Sequence, residues 1–163
     1  MEVSIVTNSL ASTNHVPVHS GYSRYRKKML AMGASIYEAR ADAVAPVTIG
    51  KAKPESLTLH TKLMLIDERY LFVGSLNLDP RSIEINAELG VLIDSPGMAK
   101  QLMEGVNSAL PELTYEVKLD DSGSLQWLAT IDGNKVVETR EPQTGWWRRF
   151  QSRIYRVLPE SQL

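Results

Sequence analysis

Apolar and polar residues alternate along the chain in two recognisable rhythms. Positions 3–7 form a short apolar run that reads as a buried strand, and positions 8–18 read as a polar loop holding His15 and Pro17. From 20 to 32, Tyr22, Tyr25, Met29 and Met32 recur every three or four residues. That spacing predicts an amphipathic helix, with Gly33 as its left-handed cap. Its other face carries Arg24, Lys27 and Lys28, read as a solvated basic face. A second strand is expected over 35–38. Positions 40–56 hold Pro46, Gly50 and Pro54 and read as a long surface loop, a class often tied to function.

Two strand-like runs follow, 57–66 and 70–74, joined by Asp67-Glu68-Arg69 as a hairpin, and then a third over 87–93. Ser95-Pro96 is a cap residue followed by proline at the first helical position. Met98, Leu102, Val106 and Ala109 share one face of the predicted helix, and Pro111 is expected to end it. Runs at 115–119, 125–131 and 135–138 predict a three-stranded meander, with turn residues Asp121-Ser122-Gly123 and Asp132-Gly133-Asn134. A basic, aromatic helix is expected over 142–158.

At 163 residues the chain has the length of one domain. It carries 18 basic and 19 acidic residues, a net charge of −1, so contact with a polyanion needs a local patch. Without cysteine there is no disulfide framework, thiolate nucleophile or cysteine zinc site. His15, His19 and His60 are the only histidines, too few for a histidine-built metal site, and no metal or cofactor is expected. The opening residues lack the basic head and apolar run of a signal peptide, and no apolar run reaches transmembrane length. A cytoplasmic location is expected, peripheral on the inner membrane at most. A chain that opens on a strand also suggests that something upstream is missing.

The chemistry concentrates between His60 and Glu88. Side chains alternate along a strand, so His60 and Lys62 share a face, as do Ser75 and Asn77. A hairpin sets these pairs side by side. Ammonium, hydroxyl and carboxamide are hydrogen-bonding partners for phosphate oxygens. A neutral imidazole is a nitrogen nucleophile able to attack phosphorus, given a partner on its second nitrogen. Glu88, between Ala87 and Leu89, is the candidate partner, and Gly74 is read as a close approach of backbone to ligand.

His60-x-Lys62-x4-Asp67-x6-Gly74-Ser75-x-Asn77 resembles the HKD signature of the phospholipase D superfamily at every defined position. The flanks, from Val18-His19-Ser20-Gly21-Tyr22, Asn77-Leu78-Asp79-Pro80-Arg81-Ser82 and the Trp147-to-Ser161 tail, resemble the C-terminal half of bacterial cardiolipin synthase-type proteins. The resemblance implies an α/β fold, a mixed sheet carrying the motif on adjacent strands between helices. It implies one phospholipase D-like domain over 1–163, with 114–163 as an extension. His60 would be the nucleophile or its acid/base counterpart. Lys62, Ser75 and Asn77 would hold phosphate oxygens, and Glu88 would orient the histidine. Asp67 would be architectural. His19 and Arg81 are candidate substrate contacts; the plainer readings are that His19 opens the helix and that Arg81 pairs with Asp79 or Glu84.

The implied function is phosphodiester transfer or hydrolysis on a phospholipid through a phosphohistidine. The alternatives are a single-motif dimeric phosphodiesterase or nuclease, and a catalytically incomplete half. Such enzymes use two motifs, whereas this chain carries one. The second would come from a missing N-terminal region, a separate chain or a homodimer. Nucleic acid is disfavoured as a partner by the near-neutral charge. For the C-terminal helix two readings compete: contact with a membrane surface, and docking of its aromatic face on the sheet with its arginines in water.

Overall fold

A computed structural model describes residues 2–43, 57–77, 82, 83 and 85–157. The architecture is α/β, a mixed sheet flanked by helices. Strand β1 (Ser4–Asn8) leads through α1 (Val16–Ala31) to β2 (Ser35–Ala39), which pairs parallel to β1. Next come β3 (Leu63–Ile66), β4 (Tyr70–Gly74), β5 (Gly90–Asp94) and α2 (Pro96–Leu113). The meander β6 (Thr114–Leu119), β7 (Leu125–Ile131) and β8 (Asn134–Glu138) precedes α3 (Trp146–Tyr155).

The chain divides into two compact units. In the first, which among the described residues comprises 2–43, 57–59 and 110–157, the strands run β1-β2-β6-β7-β8. All its pairs are antiparallel except β1 with β2. Ile36, Tyr115, Val117 and Trp127 form its buried centre, with Ile5, Tyr22 and Met29 packed against them. The second unit, His60–Ala109, holds the antiparallel sheet β3-β4-β5. The motif therefore lies on this smaller ladder and not on the mixed sheet, where the sequence had placed it.

Local chemistry explains the helix ends. Helix α1 starts four residues before the predicted position because Pro17 fits its first turn, where a missing N–H costs nothing. It ends at Gly33, φ +89°, with Ala34 N–H donating to Met29 O and Gly33 N–H to Leu30 O. Those are the two bonds of a Schellman cap. Helix α2 begins as expected, with Met98 N–H donating to the Ser95 hydroxyl at 3.4 Å. It runs past Pro111 to Leu113, contrary to the predicted stop. Arg40 supports this last turn: its guanidinium donates to Glu112 O at 3.1 Å and its backbone N–H to Leu113 O at 2.8 Å. Ala99, not Met98, is the buried residue at the start of that helix.

Candidate functional site

The hairpin β3–β4 turns at Asp67 and Glu68, with φ values of 51° and 52° and Arg69 N–H donating to Ile66 O at 3.0 Å. Both central residues lie in the left-handed region, as a type I′ turn requires, and aspartate tolerates it well. Asp67 thus sits at the tip, with all of β3 between it and Lys62. His60 and Lys62 lie at the other end, just ahead of β3, in irregular backbone where the sequence predicted strand. They are still drawn together. Lys62 Nζ lies 3.3 Å from His60 Nε2 and donates to His60 O at 3.0 Å. An ammonium has no lone pair, so Nε2 is the accepting nitrogen and the ring proton sits on Nδ1. His60 is exposed and Lys62 half-buried.

Ser75 follows β4 directly. Its backbone N–H donates to Leu89 O at 2.8 Å, its hydroxyl accepts from Leu89 N–H at 3.0 Å and donates to Glu88 Oε2 at 2.5 Å. Asn86 donates to the other carboxylate oxygen at 3.3 Å. The Ser75 bond is the main reason the Glu88 carboxyl lies below its ordinary range; Asn86, Ser82 and the Lys62 charge act in the same direction. The hydrogen bonds of Glu88 go to Ser75, Asn86 and Ser82, not to the His60 ring that the sequence reading paired with it. Asn77 is exposed, two residues beyond Ser75. Arg81, with Asp79 and Glu84, lies outside the described residues.

Gly74 has a packing reason of its own. It pairs with Gly90 across β4 and β5, and a Cβ there would stand 2.5 Å from Leu89 O and 2.9 Å from Gly90 Cα. A Cβ on Gly90 would meet the Phe72 ring at 2.3 Å. The glycine pair lets an aromatic ring lie flat over the strands that carry Ser75.

A second polar cluster, which sequence reasoning missed, is buried in the first unit. Arg26 on α1 is fully buried. Its guanidinium contacts Glu38 Oε1 at 2.9 Å and Glu141 Oε1 at 2.7 Å. It also lies 5.4 Å from the Tyr22 ring and 5.1 Å from the Trp127 ring. Tyr22 OH donates to Glu38 Oε1 at 3.0 Å and Trp127 Nε1 to Glu38 Oε2 at 2.8 Å. Burial raises the Glu38 carboxyl to about 6, against the pull of Arg26. Burial lowers Arg26, but Glu38 and Glu141 more than offset that, and its affinity for its proton rises.

His19 lies within α1 beside this cluster rather than at the helix opening, edge-on to Tyr22 at 5.6 Å. It is buried, with neither ring nitrogen hydrogen-bonded, and burial followed by the charges of Arg26, Arg156 and Arg148 lowers it to about 3. His19 is therefore a neutral ring in the interior. One ligand atom each from His19, Glu38 and Glu141 falls within 4.8 Å, but the cation that serves both carboxylates is the Arg26 guanidinium.

The inward stripe of α1 runs through His19, Ser20, Ser23 and Arg26. It is polar, so the apolar period misassigned Tyr25 and Met32, both exposed. The signal available was Arg26 three to four residues from Tyr22 and Met29, together with Glu38 inside an apolar strand.

Residues 1–109 match the family described as cardiolipin synthase, PLD-like domain. Cardiolipin synthase C of Escherichia coli is 32% identical over 162 residues, 98% of this chain and 34% of that protein. An uncharacterized protein of Helicobacter pylori is 34% identical over 163 residues, all of this chain and 32% of its own length. Cardiolipin synthase B of Escherichia coli is 29% identical over 94 residues, 58% of this chain and 18% of that protein. The chain spans about a third of the length of the first two relatives. No solved structure matches it. Among the described residues, no helix is long and apolar enough to cross a membrane.

Proposed function

We propose, on the premise that this chain belongs to the cardiolipin synthase, phospholipase D-like family, that it carries one half-site for phosphodiester transfer on a phospholipid. The observation that supports this most is the contact of Lys62 Nζ with His60 Nε2 at 3.3 Å. It puts the ring in the Nδ1–H tautomer, with the Nε2 lone pair held by Lys62 until the ammonium turns to an incoming phosphate oxygen, and it sets a cation beside the point of attack.

In the proposed reaction, His60 Nε2 bonds to phosphorus and the phosphorus–oxygen bond to the leaving alcohol breaks. Lys62, Ser75 and Asn77 hold the non-bridging oxygens as charge builds on them. A second acid, outside this motif, protonates the departing oxygen. An acceptor alcohol then gives its proton to that second group, now a base, attacks phosphorus and breaks the nitrogen–phosphorus bond, which frees His60 and yields the transferred phosphatidyl group; water in its place gives hydrolysis. The second motif comes from further polypeptide of a longer chain, a separate subunit or a second copy. Glu88 acts through Ser75, whose hydroxyl it orients.

The test combines oligomeric state with turnover of phosphatidylglycerol. An active assembly should lose at least about a thousandfold in rate in His60→Ala, the scale on which covalent catalysis fails without its nucleophile. Unchanged turnover in that variant removes His60 from its role. An inactive monomer whose activity appears when a second motif is added supports the half-site reading.

A further inference from the structure

Helix α3 is built inside out. At about 100° per residue, Trp146, Trp147, Phe150 and Ile154 fall within an arc of about 100°. Those four side chains are 72%, 55%, 46% and 52% exposed. The opposite side of the helix faces the protein through polar contacts. Ser152 is buried and its hydroxyl lies 3.0 Å from that of Ser20 on α1. Arg148 Nε donates to Leu10 O at 2.7 Å, and its Nη2 donates to Thr13 O. Arg24 donates to Tyr155 O at 3.3 Å at the far end. The helix is thus held at three places along its inner side, with its aromatic side turned outward. Docking of the aromatic face on the sheet, one of the two readings of the sequence, does not occur.

What surrounds this face says what it fits. Arg153 and Arg149 follow one another along one flank of the aromatic arc, and α3 contains no acidic residue. The chain as a whole is near neutral, so these arginines form a local basic edge and not part of a general excess. The Trp146 and Trp147 rings meet edge-on at 5.5 Å, and Trp147 stacks on Phe150 at 5.6 Å. A second protein surface would cover such a stack with apolar side chains and would need acids opposite the arginines. A bilayer supplies both at once: acyl chain beneath indole rings that sit at headgroup depth, and phosphate beside the guanidinium groups.

We infer that the outer face of α3 is a docking surface for an anionic lipid bilayer, with the helix axis lying in the membrane plane. Trp146, Trp147, Phe150 and Ile154 enter the boundary between headgroups and chains. Arg149 and Arg153 engage lipid phosphates. This surface belongs to the first unit and the HKD motif to the second, and docking does not depend on catalysis.

The experiment uses the 163-residue chain and flotation with two vesicle types, pure phosphatidylcholine and an equal mixture with phosphatidylglycerol. The chain should float with the mixed vesicles and release as salt rises. Its tryptophan emission should shift to the blue and be quenched by brominated acyl chains. Trp127 is buried and bonded to Glu38, so that change reports on the other two tryptophans. Trp147→Ser/Phe150→Ser should lose about tenfold or more in vesicle partitioning with unchanged thermal unfolding, since both side chains are exposed. Arg149→Gln/Arg153→Gln should lose the preference for the anionic mixture. His60→Ala should float like the parent chain, which keeps this result separate from the catalytic proposal. The inference is overturned if the parent chain floats with neither vesicle, or if the aromatic variant floats equally well. It is also overturned if that variant turns a soluble dimer into a monomer without changing flotation, which assigns the face to a second copy.

Discussion

Replacing Arg26 with Met tests the buried cluster most directly. Methionine keeps much of the aliphatic stem and removes the charge. The loss leaves Glu38, fully buried, with its two neutral donors Tyr22 and Trp127 but no counter-ion, and leaves Glu141 without its 2.7 Å partner. Breaking a buried ion pair from one side costs about 3–5 kcal/mol. For a chain of this size each kcal/mol moves the melting temperature by about 2–4 °C, so a drop of roughly 6–20 °C is expected.

The pH dependence carries a sign. The Glu38 carboxyl already holds its proton more tightly in the fold than the ordinary value of 4.5, near 6, and without Arg26 it rises further. A carboxyl raised in the folded state destabilises fully above its folded pKa, and the penalty fades as pH falls toward the unfolded value. The deficit of Arg26→Met should therefore be largest near pH 8 and shrink by pH 5. Glu38→Gln in the same chain should recover a large part of it. Urea unfolding followed by circular dichroism at both pH values measures all three chains. A deficit under about 1 kcal/mol at pH 8, or one that grows on acidification, would refute the reasoning.

Three further outcomes are expected. His19 titrates near 3 in the fold against 6.5 when free, so the unfolded chain gains a proton first on acidification. Its contribution is complete above 6.5 and erodes as pH falls, by about 2 kcal/mol at pH 5, a slope that His19→Leu should flatten in urea titrations. Gly74→Ala places a methyl against Leu89 O and should cost about 1–3 kcal/mol in unfolding experiments, as should Gly90→Ala against Phe72; wild-type stability in both would disprove the close pairing. Ser75→Ala removes the main donor to Glu88, so the carboxyl should titrate higher by NMR, and an unmoved titration would mean the bond is absent in solution.

What the sequence made legible was whatever depended on neighbours in the chain. The Gly33 cap, the Asp67 turn, the Ser95 start and the Asp132-Gly133 hairpin, with φ values of 51° and 78°, are local events. What stayed hidden depended on distant partners. Helix α2 runs past Pro111, and Arg40, about seventy residues earlier, caps the carbonyls of Glu112 and Leu113 at its end. Arg26 is buried through ion pairs with Glu38, twelve residues on, and Glu141, far along the chain. At the motif, spacing names candidate residues but not how they bond. The register that pairs Gly74 with Gly90 is what brings Ser75 to Glu88, and no periodicity encodes that pairing.

The Ser75 hydroxyl owns a single hydrogen, and in this structure Glu88 has it. An oxyanion arriving at that hydroxyl must compete with the carboxylate for it, and two negative groups cannot share one hydrogen without repelling each other. Capture of an anion here is consequently an exchange reaction. Glu88 must swing aside or take up a proton of its own, so the grip on an incoming anion tightens as the solution becomes acidic enough to neutralise that carboxylate.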